Sequence, residues 1–217
     1  MSINNVRKGS ERDKAILRSI ERMGALTTKQ IAALHFDIES GYDKANQRLK
    51  KLYDDKQIKR CKTNNSYCYY QGQRSGRLEH LLSLNWVLIH TLKQLRSWQT
   101  LYRWEYEKDY KFLRADAFLG LSNSFSKTVN YSFIELDRSN NTFDKIEKYN
   151  RLFESNVWES ENWVKTADKF PEILCVCEDR SRCRLILDLI EKENENDLVF
   201  KVYYLDDLIR EVTRWKN

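Results

Sequence analysis

The chain has 217 residues, and its 38 Lys+Arg against 32 Asp+Glu give a net charge of +6. Nine Phe, twelve Tyr and six Trp are too many aromatics for a disordered chain, and one Pro with six Gly argues against linkers, collagen-like repeats and multi-hairpin all-β folds. No run approaches the ~18 uncharged apolar residues of a transmembrane helix, so the composition predicts a globular protein of one large or two small domains.

The stretch from Met1 to Lys14 is charged and lacks the apolar core of a signal peptide, which predicts a cytoplasmic protein without a membrane partner. The odd count of cysteines (Cys61, Cys68, Cys175, Cys177, Cys183) then reads as reduced thiols rather than a disulfide framework. Charge is unevenly spread. Residues 1–77 carry 17 Lys+Arg against 8 Asp+Glu, whereas residues 78–217 carry 21 against 24. A basic front and a mildly acidic back predict two domains, the first facing a polyanion.

In chain order, Ile16, Leu17, Ile20 and Met23 stand at helical spacing, and Gly24 supplies a stop. Thr27 or Thr28 can cap a second helix with Ile31, Ala32, Leu34 and Phe36 on its apolar side. After a break over Asp37 to Gly41, a third helix is expected from Tyr42 to Asp55, burying Ala45, Leu49 and Leu52. Its opposite face offers Lys44, Asn46, Gln47, Arg48, Lys50 and Lys51. Two β-prone runs, Ile58 to Lys62 and Tyr67 to Gln71, flank the Asn64-Asn65 pair and predict a hairpin.

Three helices and a hairpin in that order predict a winged helix-turn-helix over residues 1–74. An α-helix fits the major groove of duplex DNA, and Lys59, Arg60 and Lys62 on the wing can meet flanking phosphates. The basic residues set register, while Asn46, Gln47 and Arg48 are the candidates for base edges.

Residues 75–98 predict a connecting helix, Ser75 to Arg96, whose Leu, Trp, Val and Ile stripe is broader than one face needs. Part of it should be buried between domains or in a homodimer. Residues 99–217 then alternate. Strands are expected at Leu101–Glu107, Phe112–Leu119 and Asn130–Arg138, a helix at Phe143–Glu154, a strand at Ile173–Cys177, and a helix at Arg182–Glu193. A strand at Leu198–Tyr204 and a short helix near Asp206–Val212 close the order. The fold class expected is α+β, the second domain a mixed sheet with helices, laid out like the PD-(D/E)XK restriction-endonuclease core.

Within that layout Asp116 ends the second strand's Arg114-Ala-Asp116 run, and Glu135-Leu-Asp137 shares one face of the third because the strand period is two. Asp116 and Glu135 can share a divalent cation, Mg²⁺ or Mn²⁺, as metal ligands of an endonuclease. The nuclease pattern asks for Glu-x-Lys, and this chain has Asp137 in the lysine's place; Lys145, on the following helix, is the candidate replacement. The catalytic set under that alternative is Asp116, Glu135, Asp137 and Lys145. The other reading is that these carboxylates pair with basic neighbours and no cofactor is used.

Arg114-Ala-Asp116-Ala, Phe133-Ile-Glu-Leu-Asp-Arg138 and the helix carrying Lys145, Lys148, Tyr149 and Arg151, behind a winged helix, resemble the replication-relaxation family of plasmids, phages and conjugative elements. Ala115 departs from that family's more usual Arg-Pro-Asp wording. The resemblance implies a DNA transaction in replication, mobilisation or transcriptional control. It implies duplex DNA and replication or transfer proteins of the same element as partners, and supplies no activity.

Other chemistries find no support. Cys175-Val-Cys177 with Cys183 reads as core thiols rather than a metal cluster, because the three histidines are remote in sequence. No glycine follows Gly120, which argues against phosphate-binding loops, and a Ser/His/Asp hydrolase lacks its nucleophile elbow. Cys61 and Cys68 face each other across the predicted hairpin and could pair under oxidation, which a reducing cytosol opposes.

Overall fold

A computed structural model describes residues 3–36, 38–63, 66–138 and 142–213. The fold is α+β, with a three-stranded antiparallel sheet and a five-stranded mixed sheet. The chain divides into two compact units, Met1–His90 with Ile209–Asn217, and Thr91–Leu208. No helix among the described residues is long and apolar enough to cross a membrane.

The first unit begins with helix α1 (Ile3–Met23), which starts well before the periodic residues Ile16 to Met23 and buries Ile16, Ile20 and Met23. Gly24 ends it at φ +74°, a left-handed conformation that glycine adopts without Cβ strain. Strand β1 (Ala25–Thr27) was not expected; three residues carry too little periodicity to read. Helix α2 (Thr28–His35) is capped by Thr27, whose hydroxyl accepts the Gln30 N–H while the Gln30 side chain accepts the Thr27 N–H. Of the predicted break, Asp37 lies outside the described residues. Gly41 opens helix α3 (Gly41–Asp54) so close to the Phe36 carbonyl oxygen that no Cβ would fit.

Helix α3 buries Ala45, Leu49 and Leu52 as its spacing predicted. Strands β2 (Lys59–Lys62) and β3 (Tyr67–Tyr70) pair antiparallel, with β1 on the far side of β3. The predicted Asn64-Asn65 turn lies outside the described residues.

Helix α4 (Leu78–Gln94) follows, and two of its groups lock it to the first unit. Gln30 Nε2 donates to the Leu82 carbonyl at 2.7 Å, and Asn85 Nδ2 donates to the carbonyls of Met23 (3.0 Å) and Ala25 (2.7 Å). Both amides are fully buried, so their polar atoms need these partners. Of the broad apolar stripe of α4, Leu82, Leu84 and Trp86 to Ile89 are buried within a single chain. Its Leu78, Leu81 and Leu92 are half-buried.

The second unit is built on strands β4 (Gln99–Asp109), β5 (Arg114–Asn123), β6 (Val129–Asp137), β7 (Glu172–Cys177) and β8 (Phe200–Tyr204), in that spatial order. The first three form an antiparallel meander; β6, β7 and β8 run parallel. Parallel neighbours need crossovers, supplied by α5 (Lys145–Glu154) and α6 (Arg180–Glu193). Two short 3-10 helices, Val157–Ser160 and Asn162–Thr166, precede β7, and α7 (Leu205–Thr213) follows β8.

One face of the sheet carries an aromatic core of Phe118, Tyr131, Phe133, Tyr149 and Trp163. Phe118 stacks on Tyr131 with centroids 5.2 Å apart. Gly120 makes that possible, since a Cβ there would stand 2.8 Å from the Tyr131 ring. The 3-10 helices escaped the sequence reading, yet one of them brings Trp163 into this core.

Candidate functional site

Each unit presents a candidate surface. On the first, α3 has two faces with different fates. Lys44, Asn46, Gln47, Lys50 and Lys51 are exposed, opposite the buried Ala45/Leu49/Leu52 side. Arg48 is not free among them. Its Nε donates to Asp13 Oδ1 at 2.8 Å, its second amino group pairs with Asp13 Oδ2, and it also reaches the Gly9 carbonyl at 3.4 Å. This fork ties α3 to α1, so the expectation that Arg48 stands open for a base edge is amended: its donors are engaged within the protein.

The hairpin places Lys59, Arg60 and Lys62 in solvent. Lys59 Nζ donates to the Gly72 carbonyl at 2.9 Å. The Arg60 guanidinium lies 4.2 Å from the ring centroid of Tyr53 on α3 and 4.9 Å from that of Tyr67. That contact carries the basic surface of the hairpin onto the last turn of α3.

The second surface lies where β6 and β7 end, the edge at which parallel sheets commonly bind ligands. Strand pairing of β5 with β6 sets Ala117 opposite Ile134, which brings Asp116 beside the Glu135–Leu136 segment. Asp116 Oδ2 accepts the Leu136 N–H at 2.8 Å. Glu135 is 2% exposed. Its Oε2 lies 2.8 Å from Lys145 Nζ, and its Oε1 accepts the Tyr149 hydroxyl at 2.7 Å. Lys145 and Tyr149 are one helical turn apart on α5, so both reach the same carboxylate. Lys145 Nζ also donates to the Arg114 carbonyl at 2.7 Å.

Burial pushes the Glu135 carboxyl up to about 7; the Lys145 ammonium opposes that rise, and the charge of Asp116 adds to it. Burial, and then the same carboxylate, push the Tyr149 hydroxyl well above its ordinary value. Glu135 is thus held near the point where it exchanges its proton at neutral pH.

The structure brings Asp116, Glu135 and Lys145 together and takes Asp137 out of the group. Asp137 is gripped by Arg182 of α6, with Nε to Oδ2 at 2.7 Å and the terminal amino group to Oδ1 at 3.1 Å. Period two does put Asp137 on the Glu135 face, but the next crossover helix supplies the arginine that engages it. Nothing in the sequence marks Arg182 as that partner, 45 residues away. Tyr149 carried a signal, its spacing of four from Lys145.

As they stand, these carboxylates are engaged by protein partners, Asp116 Oδ2 by the Leu136 N–H. Both Glu135 oxygens are engaged, the Lys145 ammonium occupies the position of positive charge, and the Asp137 oxygens are both on Arg182. Among the described residues, no group of three or more His, Cys, Asp or Glu side chains is placed to hold a metal ion. Cys175 and Cys177 are buried in β7. Comparison of the chain with family models, with curated proteins and with solved structures finds no match.

Proposed function

We propose that this chain is a double-stranded-DNA-binding protein of a mobile genetic element, acting in replication, mobilisation or transcriptional control. The observation that carries the reading is the basic surface of the first unit. Lys44, Lys50 and Lys51 on α3 and Lys59, Arg60 and Lys62 on the hairpin are all exposed, in a segment with 17 Lys+Arg against 8 Asp+Glu. The helix–helix–helix–hairpin order supports a winged helix-turn-helix whose third helix enters the major groove. The short motifs quoted above support a place in the replication-relaxation family, in which further partners are replication or transfer proteins of the same element.

The strand order β4 to β8, with α5 between β6 and β7, supports a nuclease-like core. Its carboxylates, neutralised by Lys145 and Arg182, support a degenerate site. The second reading, a Mg²⁺- or Mn²⁺-dependent nickase, is favoured by the convergence of Asp116, Glu135 and Lys145; it requires a cation to displace the ammonium.

Duplex binding measured against salt tests the first reading. Phosphate-led affinity falls steeply with salt, through counterion release. No duplex affinity at low salt, or affinity unchanged to several hundred millimolar, overturns it. Incubation of supercoiled plasmid with Mg²⁺ or Mn²⁺ tests the second, for which nicks must appear and must vanish in Glu135→Gln. Light scattering on the DNA complex reads whether a second copy joins it.

A further inference from the structure

The hairpin that carries Lys59, Arg60 and Lys62 also carries two thiols in register. Cys61 pairs directly with Cys68 across β2 and β3, and their Sγ atoms are 3.0 Å apart. The Thr63 N–H bonds to the Ser66 carbonyl at 2.7 Å. Alternation from that closing bond makes Cys61/Cys68 a hydrogen-bonded pair, with Cα atoms about 5.5 Å apart. That separation lies inside the range of about 4.4–6.8 Å that a disulfide spans without moving backbone. Cys61 is half-buried, and Cys68 is fully buried beside Ala25 and Leu82. Cys61 is thus the more exposed residue of the pair, and Cys68 the more deeply placed.

We propose that Cys61 and Cys68 are a redox modification site, closing to a reversible cross-strand disulfide when hydrogen peroxide is the oxidant. The Cys61 thiolate attacks one peroxide oxygen and the O–O bond breaks. The departing oxygen leaves as water after taking up a proton, and Cys61 is left as the sulfenic acid. The Cys68 sulfur then attacks the Cys61 sulfur, and its proton leaves with the sulfenic hydroxyl as a second water. Two thiols lose two electrons in total, and one peroxide becomes two waters. Burial and the Cys61 neighbour push the Cys68 thiol up to about 12, which fits the order in which Cys61 reacts first. A dithiol reverses the bond by exchange.

The disulfide would tie β2 to β3 beneath the basic residues of the hairpin. That consequence for DNA rests on the function proposed above; the thiol chemistry does not.

The experiment treats the full chain with hydrogen peroxide, alkylates remaining thiols and maps tryptic peptides by mass spectrometry. Trypsin cuts after Arg60, Lys62 and Arg74, so a 61–68 disulfide leaves peptides 61–62 and 63–74 joined and 2 Da lighter than their sum. Dithiothreitol must separate them, and Cys61→Ser must abolish the joined species while the chain stays folded by circular dichroism. Separate alkylation of Cys61 and Cys68, no faster oxidised than Cys175, Cys177 and Cys183, overturns the proposal. The same samples on duplex DNA read the second half: a change of at least fivefold in Kd on oxidation, absent in Cys61→Ser, supports control of binding. An unchanged Kd overturns that control with the disulfide intact. Absence of binding in the reduced chain fails the DNA reading itself.

Discussion

Replacing Glu135 with Gln should change how stability depends on pH more than it changes stability at any one pH. Glu135 titrates at about 7 in the fold against an ordinary 4.5. Its folded-state value is raised, so the folded chain holds a proton that the unfolded chain has already released. The stabilising share of Glu135 is therefore complete below the unfolded value and is lost as pH rises through the folded one. Across the whole window that difference amounts to about 3 kcal/mol, most of it lost between pH 5 and pH 8.5. Glutamine keeps an oxygen for the Tyr149 hydroxyl but sets an amide against the Lys145 ammonium, which adds an offset without a slope. Urea unfolding of both proteins across that range should show wild type losing on the order of 2 to 3 kcal/mol relative to Glu135→Gln. Lys145→Met, which removes the opposing charge, should move the slope to higher pH. A wild-type-minus-variant difference that stays flat within about 0.5 kcal/mol would refute the account of a buried, proton-exchanging carboxylate.

Arg48→Ala should lower stability by about 1 kcal/mol by breaking the fork to Asp13, and Asp13→Ala should do the same without further loss in the double variant. Thermal unfolding of the three chains checks this. Lys50→Ala and Lys51→Ala should leave the melting temperature unchanged and reduce duplex affinity, each flattening the salt slope by about one unit. Addition of Mg²⁺ should leave the melting temperature of the wild type nearly unmoved, because Lys145 and Arg182 already neutralise the carboxylates; a concentration-dependent rise would mean that a cation enters. Asn85→Ala should cost about 2 kcal/mol in urea unfolding, since it strands the Met23 and Ala25 carbonyls in a buried position.

The sequence revealed elements wherever a period ran for several turns or strands. Ala45, Leu49 and Leu52 located the buried side of α3, and the alternation around Phe133 and Glu135 located β6. Elements held by few residues stayed hidden, as did contacts made at long range. Strand β1 has three residues, and the two 3-10 helices lack a repeating apolar side. The amides Gln30 and Asn85 look like ordinary polar residues until the chain brings carbonyls 52 and 60–62 positions away against them. At the carboxylates, strand period alone grouped Glu135 with Asp137. The grouping broke because a helix after the next strand supplied Arg182, a partner that no local pattern encodes.

The first unit is completed from two distant stretches of chain. His90 Nε2 meets Glu211 Oε2 at 2.7 Å, across 121 positions, and the whole of residues 91–208 intervenes. A ribosome adding roughly 5–20 residues per second delivers that glutamate about 6–24 seconds after the histidine. For that interval the three-helix unit stands without that pair, held by its own buried side chains, the Gln30 and Asn85 hydrogen bonds and the Arg48–Asp13 fork. The unit is therefore closed only after the whole of residues 91–208 has been synthesised.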